Sequence, residues 1–194
     1  SLSERRARLE ALRDAIAARR EEIAAEIDAD FGGRSRHETL LAEVWLTLSS
    51  IAYTRAHLRA WMRPERRPVN WPFRPARARV IPGPKGVAGI IAPWNYPFSL
   101  AMIPFASAIA AGNRVILKPS EVAPRTAALI ARIVSEALPP ECAAVVTGGA
   151  DVGAALSRLP LDHLLFTGSA RVGAEILREA SANLTPVTLE LGGK

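Results

Sequence analysis

The fold is decided by the stretch HLLFTGSARVGAEILREASANLTPVTLELGGK, residues 163–194. Residues 163–167 form a short apolar run, and residues 168–173 (GSARVG) open a segment whose apolar side chains recur at helical spacing. Residues 186–191 have the composition of a second strand. Two strands joined through one helix make a βαβ unit, so the sequence predicts parallel strands with a right-handed crossover.

The turn that opens this helix has the features of a phosphate-binding loop. The first amide N–H groups of a helix have no partner within the helix, and Gly168 allows a ligand to approach the backbone closely. Glu190 leaves the second strand at the same edge of the sheet. We therefore expect an acid or base beside a bound nucleotide phosphate.

Length, charge and cysteine content limit the class of protein. The 194 residues, 49% of them apolar, suffice for one domain with a core, or for one domain and part of another. Residues 63–79 contain six arginines and one glutamate, which account for most of the net charge of +6. The single cysteine, Cys142, excludes an internal disulfide and suits a reducing compartment. Residues 1–10 have no apolar core, so we expect a cytoplasmic protein without a signal peptide.

Residues 1–62 are predicted to form a helical segment that packs on the domain following it. Residues 1–30 and 37–62 each carry an apolar stripe at helical spacing, and each stripe stops at a glycine or a proline. His37 and His57 have no cysteine or carboxylate neighbours at metal-ligand spacing. We therefore expect no metal site.

Residues 63–86 are rich in arginine, proline and aromatic side chains. Alternation over residues 77–81 predicts an extended segment, one arm of a hairpin whose edge needs a partner, and so a possible oligomerisation arm. Arginines interleaved with Trp71 and Phe73 leave a nucleic-acid binder open as an alternative, which predicts steeply salt-dependent binding. The prolines fit a connector or an intersubunit arm better, so we expect no nucleic-acid partner.

Residues 86–113 contain no charged side chain, which raises the question of a membrane span. Three prolines interrupt the stretch, and each would remove a helical hydrogen bond. The sequence instead predicts a buried strand at 87–92, a turn, and a buried helix at 99–111. We expect no membrane span.

Strands and helices alternate from residue 87 onward. Further strands are predicted at 114–118 and 143–147, and further helices at 124–138 and 151–159. The two strands of the opening stretch bring the total to about five. This alternation predicts an α/β fold, in which a Rossmann-like doubly wound parallel sheet over 87–194 follows two helices and an extended arm.

In such a sheet, ligands bind beyond the carboxyl ends of the strands. The polar residues that follow predicted strands are Asn95, Lys118, Glu121, Ser169 and Glu190. We expect these side chains to converge around one dinucleotide. Cys142 precedes a strand and is predicted to be a core residue rather than a nucleophile of this site.

Four motifs occur in a fixed order along the chain. They are PWNYP (93–97), LKPSE (117–121), FTGS (166–169) and LELGGK (189–194). In this order and at these separations they resemble the NAD(P)-dependent aldehyde dehydrogenase superfamily, a more specific signal than a single glycine pattern. The phrases ARARVIPGPKGVAGIIAPWNYPFSL and NLTPVTLELGGK look most like its class 3 (fatty-aldehyde) branch, and within it the coniferyl aldehyde dehydrogenases.

The resemblance implies NAD or NADP as cofactor and assigns residues to it. Lys118 and Glu121 would hold the adenosine ribose hydroxyls, and Leu191 and Gly192 would line the nicotinamide. The pyrophosphate would be held by Ser169 and by the backbone of Gly168, Ala170, Arg171, Val172 and Gly173. Glu121 would repel the extra phosphate of NADP if it lay close, but it could swing aside, so the choice between NAD and NADP stays open.

The resemblance also implies the chemistry. Asn95 would donate its side-chain amide to the tetrahedral adduct that forms when a thiolate attacks an aldehyde. Glu190 would be the general base that activates water to hydrolyse the thioester to a carboxylic acid. The nucleophilic cysteine is implied about thirty to thirty-five residues beyond Glu190, past Lys194, together with the catalytic domain. These 194 residues alone are therefore predicted to oxidise no aldehyde.

The full-length enzyme implied by the resemblance would act on a small-molecule aldehyde, such as coniferyl or another aromatic or fatty aldehyde. It would assemble as a homodimer or tetramer. Glu190 disfavours relatives that pass the thioester to phosphate or coenzyme A, because a carboxylate suits water activation. The alternative is a non-catalytic dinucleotide-binding or assembly module, which predicts cofactor binding without chemistry.

Overall fold

The computed structural model of the protein describes residues 1–192. The helices are α1 (Leu2–Ala18), α2 (Arg20–Phe31), α3 (Arg36–Glu38), a π-helical turn (Thr39–Trp45), α4 (Leu46–Trp61), α5 (Ser99–Ala111), α6 (Pro124–Ala137), α7 (Ala150–Ser157) and α8 (Ala170–Ser181). The strands are β1 (Glu65–Arg67), β2 (Ala78–Val80), β3 (Val87–Ile91), β4 (Arg114–Lys118), β5 (Ala143–Val145), β6 (His163–Gly168) and β7 (Val187–Leu191).

Five parallel strands form the sheet that positions the site. Their order is β5-β4-β3-β6-β7, and every neighbouring pair is parallel. The chain first moves outward from β3 to β5 and then returns to the other side of β3 as β6, so the order reverses between β3 and β6. The predicted Rossmann-like α/β fold, with its preceding helices and arm, is confirmed.

Helices cover both faces of this sheet. On one face, α5 and α6 pack with α1, α2 and α4 around a large apolar cluster. On the other face, α7 and α8 lie over a smaller cluster. Ile90 belongs to the first cluster and Ile91 to the second, because successive strand residues point to opposite faces. The segment 1–62 therefore shares a continuous core with the sheet.

The N-terminal helix differs from its prediction. Residues 1–30 are predicted to form one helix, but the structure contains two, α1 and α2, separated at Arg19 with φ −111° and ψ 16°. The apolar stripe does not reveal the break, because Ile16 and Ile23 lie on either side of it and both are fully buried. Arg19 forms an ion pair with Glu136 of α6, which ties the break to the neighbouring helix.

The second predicted helix, residues 37–62, contains a wider turn. Residues Thr39–Trp45 are π-helical, and the chain is α-helical on both sides of them. A π turn shifts the side chains that face inward and is often found at functional sites. In this turn Glu43 is fully buried, and its carboxylate accepts hydrogen bonds from the start of α5.

The arm, residues 63–86, contains a short hairpin. Strands β1 and β2 pair antiparallel with Arg66 opposite Arg79, and every residue of both strands is exposed. Between them, Trp71 and Phe73 are 80% and 67% exposed. The arm therefore presents apolar as well as basic side chains to its surroundings.

The uncharged stretch 86–113 folds as β3, a turn and α5. The helix α5 has 13 residues and ends at Gly112, whose φ of +90° is left-handed and favours glycine. Within residues 1–192, no helix combines the length and the apolar character that crossing a membrane requires.

Candidate functional site

A large cleft lies at the carboxyl edge of the sheet, where the strand order reverses. Its volume is about 720 Å³, within the usual range for ligand sites. The residues after β3, β4 and β6 line it, together with the facing sides of α7 and α8. This is the position at which doubly wound sheets bind ligands, because the loops at the reversal point separate.

Lys118 and Glu121 lie on one wall of this cleft. Lys118 is the last residue of β4 and is only 2% exposed. Its ammonium group donates hydrogen bonds to the Glu121 carboxylate (2.6 Å) and to the Pro119 carbonyl (3.1 Å). Partial burial alone would raise the pKa of Glu121, but the hydrogen bond and charge of Lys118 outweigh it, so the pKa is lowered. The pair therefore presents a fixed cation and a carboxylate.

The start of α8 forms the opposite wall. Ser169 is the N-cap residue, and its hydroxyl accepts a hydrogen bond from the Val172 amide at 3.3 Å. The residue before it is Gly168, where a Cβ would lie 2.5 Å from the Phe166 ring, so any larger residue would require the ring to shift. With no side chain at this point, the free N–H groups of the first helical turn stay accessible to an anion.

The end of β7 meets the same turn. In the parallel register Glu190 pairs with Thr167 and Leu191 with Gly168, and the Gly192 amide donates a hydrogen bond to the Gly168 carbonyl at 3.2 Å. Glu190 is exposed at this edge. The carboxylate predicted as a base therefore lies on the strand next to β6, whose end leads into the turn before α8.

Asn95 lies on the turn after β3 and is exposed. Its neighbour Trp94 lines the large cleft, whereas Asn95 borders a second cavity of about 380 Å³ together with Arg34 and Tyr96. The Asn95 carbonyl accepts a hydrogen bond from the Arg34 guanidinium at 2.6 Å. This turn is thus held by the N-terminal helical segment.

The structure brings together six of the predicted site residues as lining of the large cleft. They are Lys118, Glu121, Gly168, Ser169, Arg171 and Val172. Six others, although described, lie outside that lining: Asn95, Ala170, Gly173, Glu190, Leu191 and Gly192. Leu191 and Gly192 nevertheless adjoin the turn before α8, since a Cβ on Gly173 would lie 2.8 Å from the Leu191 side chain and the Gly192 amide donates a hydrogen bond to the Gly168 carbonyl.

Sequence reasoning missed Arg34 and Glu43. Glu43 is the only charged residue between Thr39 and Thr54, in a segment whose apolar stripe faces the core. A lone acid in such a segment signals a buried carboxylate with a specific partner. Cys142 is buried at the opposite edge of the sheet, where β5 begins.

Comparison with known proteins identifies the family. The aldehyde dehydrogenase family matches residues 1–194 of the chain. The chain belongs to this family. The resemblance predicted from the four motifs is therefore confirmed, and aldehyde dehydrogenases named as family 3 members are among its relatives.

Two curated relatives are named for coniferyl aldehyde. The "probable coniferyl aldehyde dehydrogenase" of Pseudomonas aeruginosa is 49% identical over 96% of this chain and 39% of its own length. The "coniferyl aldehyde dehydrogenase" of a Pseudomonas species is 48% identical over 90% of this chain and 36% of its own length. The chain thus spans about two fifths of the length of these aldehyde dehydrogenases.

A solved aldehyde dehydrogenase has the same fold. The structure described as the "substrate bound state of Staphylococcus Aureus AldH" superposes with a TM-score of 0.96 at 36% identity. The match covers 100% of this chain and 42% of the solved one. The sheet, the N-terminal helices and the arm are therefore shared with a protein of this family.

Proposed function

We propose that the whole protein oxidises an aldehyde to a carboxylic acid with NAD⁺ or NADP⁺, and that this chain supplies its cofactor-binding half. The observation that carries the proposal is the convergence of Lys118, Glu121 and the α8 N-terminus on one cleft at the reversal point of the sheet. Membership of the aldehyde dehydrogenase family supports the reaction.

The chemistry of the cleft fits a dinucleotide. A buried ammonium group beside a carboxylate provides both donors and acceptors for vicinal ribose hydroxyls, as Lys118 and Glu121 do. The first turn of α8 provides N–H groups and a positive dipole end for a pyrophosphate. Between them, Val122 and Ile176 provide apolar wall, which suits an aromatic base.

In this proposal Lys118, Glu121 and the first turn of α8 would hold NAD(P)⁺, which would supply the acceptor for the hydride that the substrate loses. Asn95 donates its amide N–H to the oxyanion that develops on the former carbonyl oxygen. Glu190 removes a proton from the water that releases the acid. Leu191 and Gly192, at the end of β7, exclude solvent beside the nicotinamide.

The nucleophile of this proposal is a thiolate outside the sequence. Cys142 cannot serve, because it is 6% exposed and lies at the edge of the sheet opposite the cleft. By family resemblance the thiol follows Glu190 in a catalytic domain beyond Lys194. The 194 residues alone are therefore expected to bind cofactor without turning over an aldehyde.

The proposed substrates are coniferyl aldehyde and related aromatic or fatty aldehydes. The printed names of two relatives, at 49% and 48% identity, support this class. The proposed assembly is a homodimer or tetramer in which the arm contacts another subunit, because Trp71 and Phe73 are otherwise exposed. Sedimentation of the whole protein should show an oligomer, and replacing both side chains with Ala should shift it toward the monomer.

The test measures the steady-state rate and the initial burst of cofactor reduction by the whole protein. The cofactors are NAD⁺ and NADP⁺, and the substrates are coniferyl, benzaldehyde-type and long-chain aldehydes. Glu190→Gln should slow turnover by about 100-fold or more while keeping an initial burst of reduced cofactor, because only hydrolysis is blocked. Glu141→Gln, at an exposed acid beyond the opposite edge of the sheet, is the matched control and should turn over normally. NADH binding without turnover of any aldehyde would instead identify a non-catalytic dinucleotide-binding module.

A further inference from the structure

Arg34 occupies an unusual position for a charged residue. It lies in the loop between α2 and α3, and its side chain is only 8% exposed. The guanidinium carbon lies 4.4 Å from the centre of the Tyr96 ring and 4.8 Å from that of Phe31. Stacking on two aromatic rings fixes the plane of the guanidinium group and so the direction of its N–H groups.

Those N–H groups hold the turn that carries Asn95. Arg34 Nη1 donates to the Asn95 carbonyl at 2.6 Å, and Nη2 donates to Glu38 Oε1 at 3.1 Å. The Tyr96 hydroxyl donates to the same Glu38 oxygen at 3.3 Å. The main chain of Asn95 and the ring that follows it are therefore fixed by one cluster, defined here as the Arg34 cluster.

Glu43 connects this cluster to α5. Its Oε2 accepts hydrogen bonds from the amides of Phe98 (2.7 Å) and Ser99 (3.0 Å), and its Oε1 lies 3.5 Å from Arg34 Nη1. The N-cap residue Phe98 has no side-chain acceptor of its own, so Glu43 caps the helix from a distant part of the chain. One carboxylate thus caps the start of α5 and lies at ion-pair distance from the arginine that holds the preceding turn.

Packing alone does not hold this turn. Trp94 is 54% exposed and Asn95 is exposed, although an oxyanion donor must stay within a few tenths of an ångström of its position. We propose that Arg34 is a positioning residue for the reaction, fixing the main chain at Asn95 so that the Asn95 amide meets the developing oxyanion, and that Glu43 keeps Arg34 in place. This inference rests on the proposed function, because Arg34 acts through Asn95.

The test is a double-mutant cycle in the whole protein. Arg34→Met should lower kcat for aldehyde oxidation by about 10- to 100-fold and leave the dissociation constant of NADH within about twofold. In an Asn95→Ala background, adding Arg34→Met should lower kcat further by less than about twofold, because the side chain that Arg34 positions is already absent. Arg36→Met, at an exposed arginine paired with Glu21, is the matched control and should match the wild type.

Equal losses from Arg34→Met in both backgrounds would show that Arg34 only supports the fold, and would overturn the inference. A wild-type kcat for Arg34→Met beside a slow Asn95→Ala would overturn it while leaving the proposed function intact. A wild-type kcat for Asn95→Ala would overturn both the inference and the proposed function. If Arg34→Met does not fold, the second measurement uses Arg34→Ala refolded with added guanidinium ion. The kcat of this variant should rise with the guanidinium concentration. No rise would count against the inference.

Discussion

Lys118→Met tests the cofactor cleft most directly. Lys118 is 2% exposed, and its ammonium group already makes a 2.6 Å hydrogen bond to Glu121. Methionine keeps most of the volume and the unbranched shape, so it should fill the same space beside Gly153, where an added Cβ would lie 3.6 Å from the lysine stem. The substitution therefore removes a charge and its hydrogen bonds with little change in shape.

The expected loss of NADH affinity follows from the strength of a hydrogen bond donated by a charged group. Hydrogen bonds that involve a charged group contribute about 1.5–3 kcal/mol, which corresponds to about 10- to 100-fold in a dissociation constant. The fold should lose little, because the partner left behind, Glu121, has a side chain that is 44% exposed, so its carboxylate stays hydrated when the ammonium group is removed. We therefore expect NADH to bind about 10- to 100-fold more weakly, with a melting temperature within a few degrees of the wild type.

The assay is a fluorescence titration of the whole protein with NADH, beside thermal unfolding of the same samples. Lys85→Met is the matched control, because Lys85 precedes β3 at the opposite edge of the sheet and its ammonium group contacts His163 (3.0 Å). That variant should bind NADH normally. An unchanged dissociation constant for a folded Lys118→Met variant would refute the placement of the dinucleotide in this cleft.

Three further predictions concern single residues. Burial raises the pKa of Glu43 above its usual 4.5, so the contribution of this carboxyl group to wild-type stability falls as the pH rises from 4.5 through the raised pKa. In urea unfolding at a series of pH values, the stability of Glu43→Gln relative to the wild type should therefore increase as the pH rises above 4.5, and a constant difference would contradict this. Gly168→Ala should destabilise the fold by about 1–3 kcal/mol and weaken NADH binding, since its Cβ meets the Phe166 ring at 2.5 Å. Glu121→Gln should improve binding of NADPH relative to NADH by about tenfold, or roughly 1.4 kcal/mol, because a negative charge near the extra phosphate is removed; an unchanged ratio in paired titrations would show that Glu121 lies away from it.

The sheet and its helices were predictable because local signals agree with the tertiary structure. The helix at 99–111 and the strand at 114–118 have the predicted bounds. A glycine marks the end of the helix, and the end of the uncharged run marks the start of the strand. The strand predicted at 143–147 is shorter in the structure and ends at Val145, at the outer edge of the sheet, where β4 is its one partner within residues 1–192. Edge pairing leaves fewer hydrogen bonds to extend a strand.

The shared cleft of Lys118, Glu121 and Ser169 was predictable for a different reason. Parallel strands place the residues that follow them on one edge, so the order of elements alone assigns Lys118, Glu121 and Ser169 to the same cleft. The break at Arg19 and the Arg34 cluster were not predictable in this way. The apolar stripe continues across Arg19, and the cluster joins residues 31–43 to residues 95–99, a contact that no local spacing encodes.

The site therefore has two parts with different supports. The proposed cofactor cleft is built by strand ends and by the start of α8, within the sheet. The Asn95 turn is held from the N-terminal helical segment, by a buried arginine and by a carboxylate on a π-helical turn. Because the two supports share few side chains, damage to the N-terminal segment should slow the proposed chemistry without weakening cofactor binding. On this view the N-terminal helices are part of the scaffold of the reaction and are more than packing for the sheet.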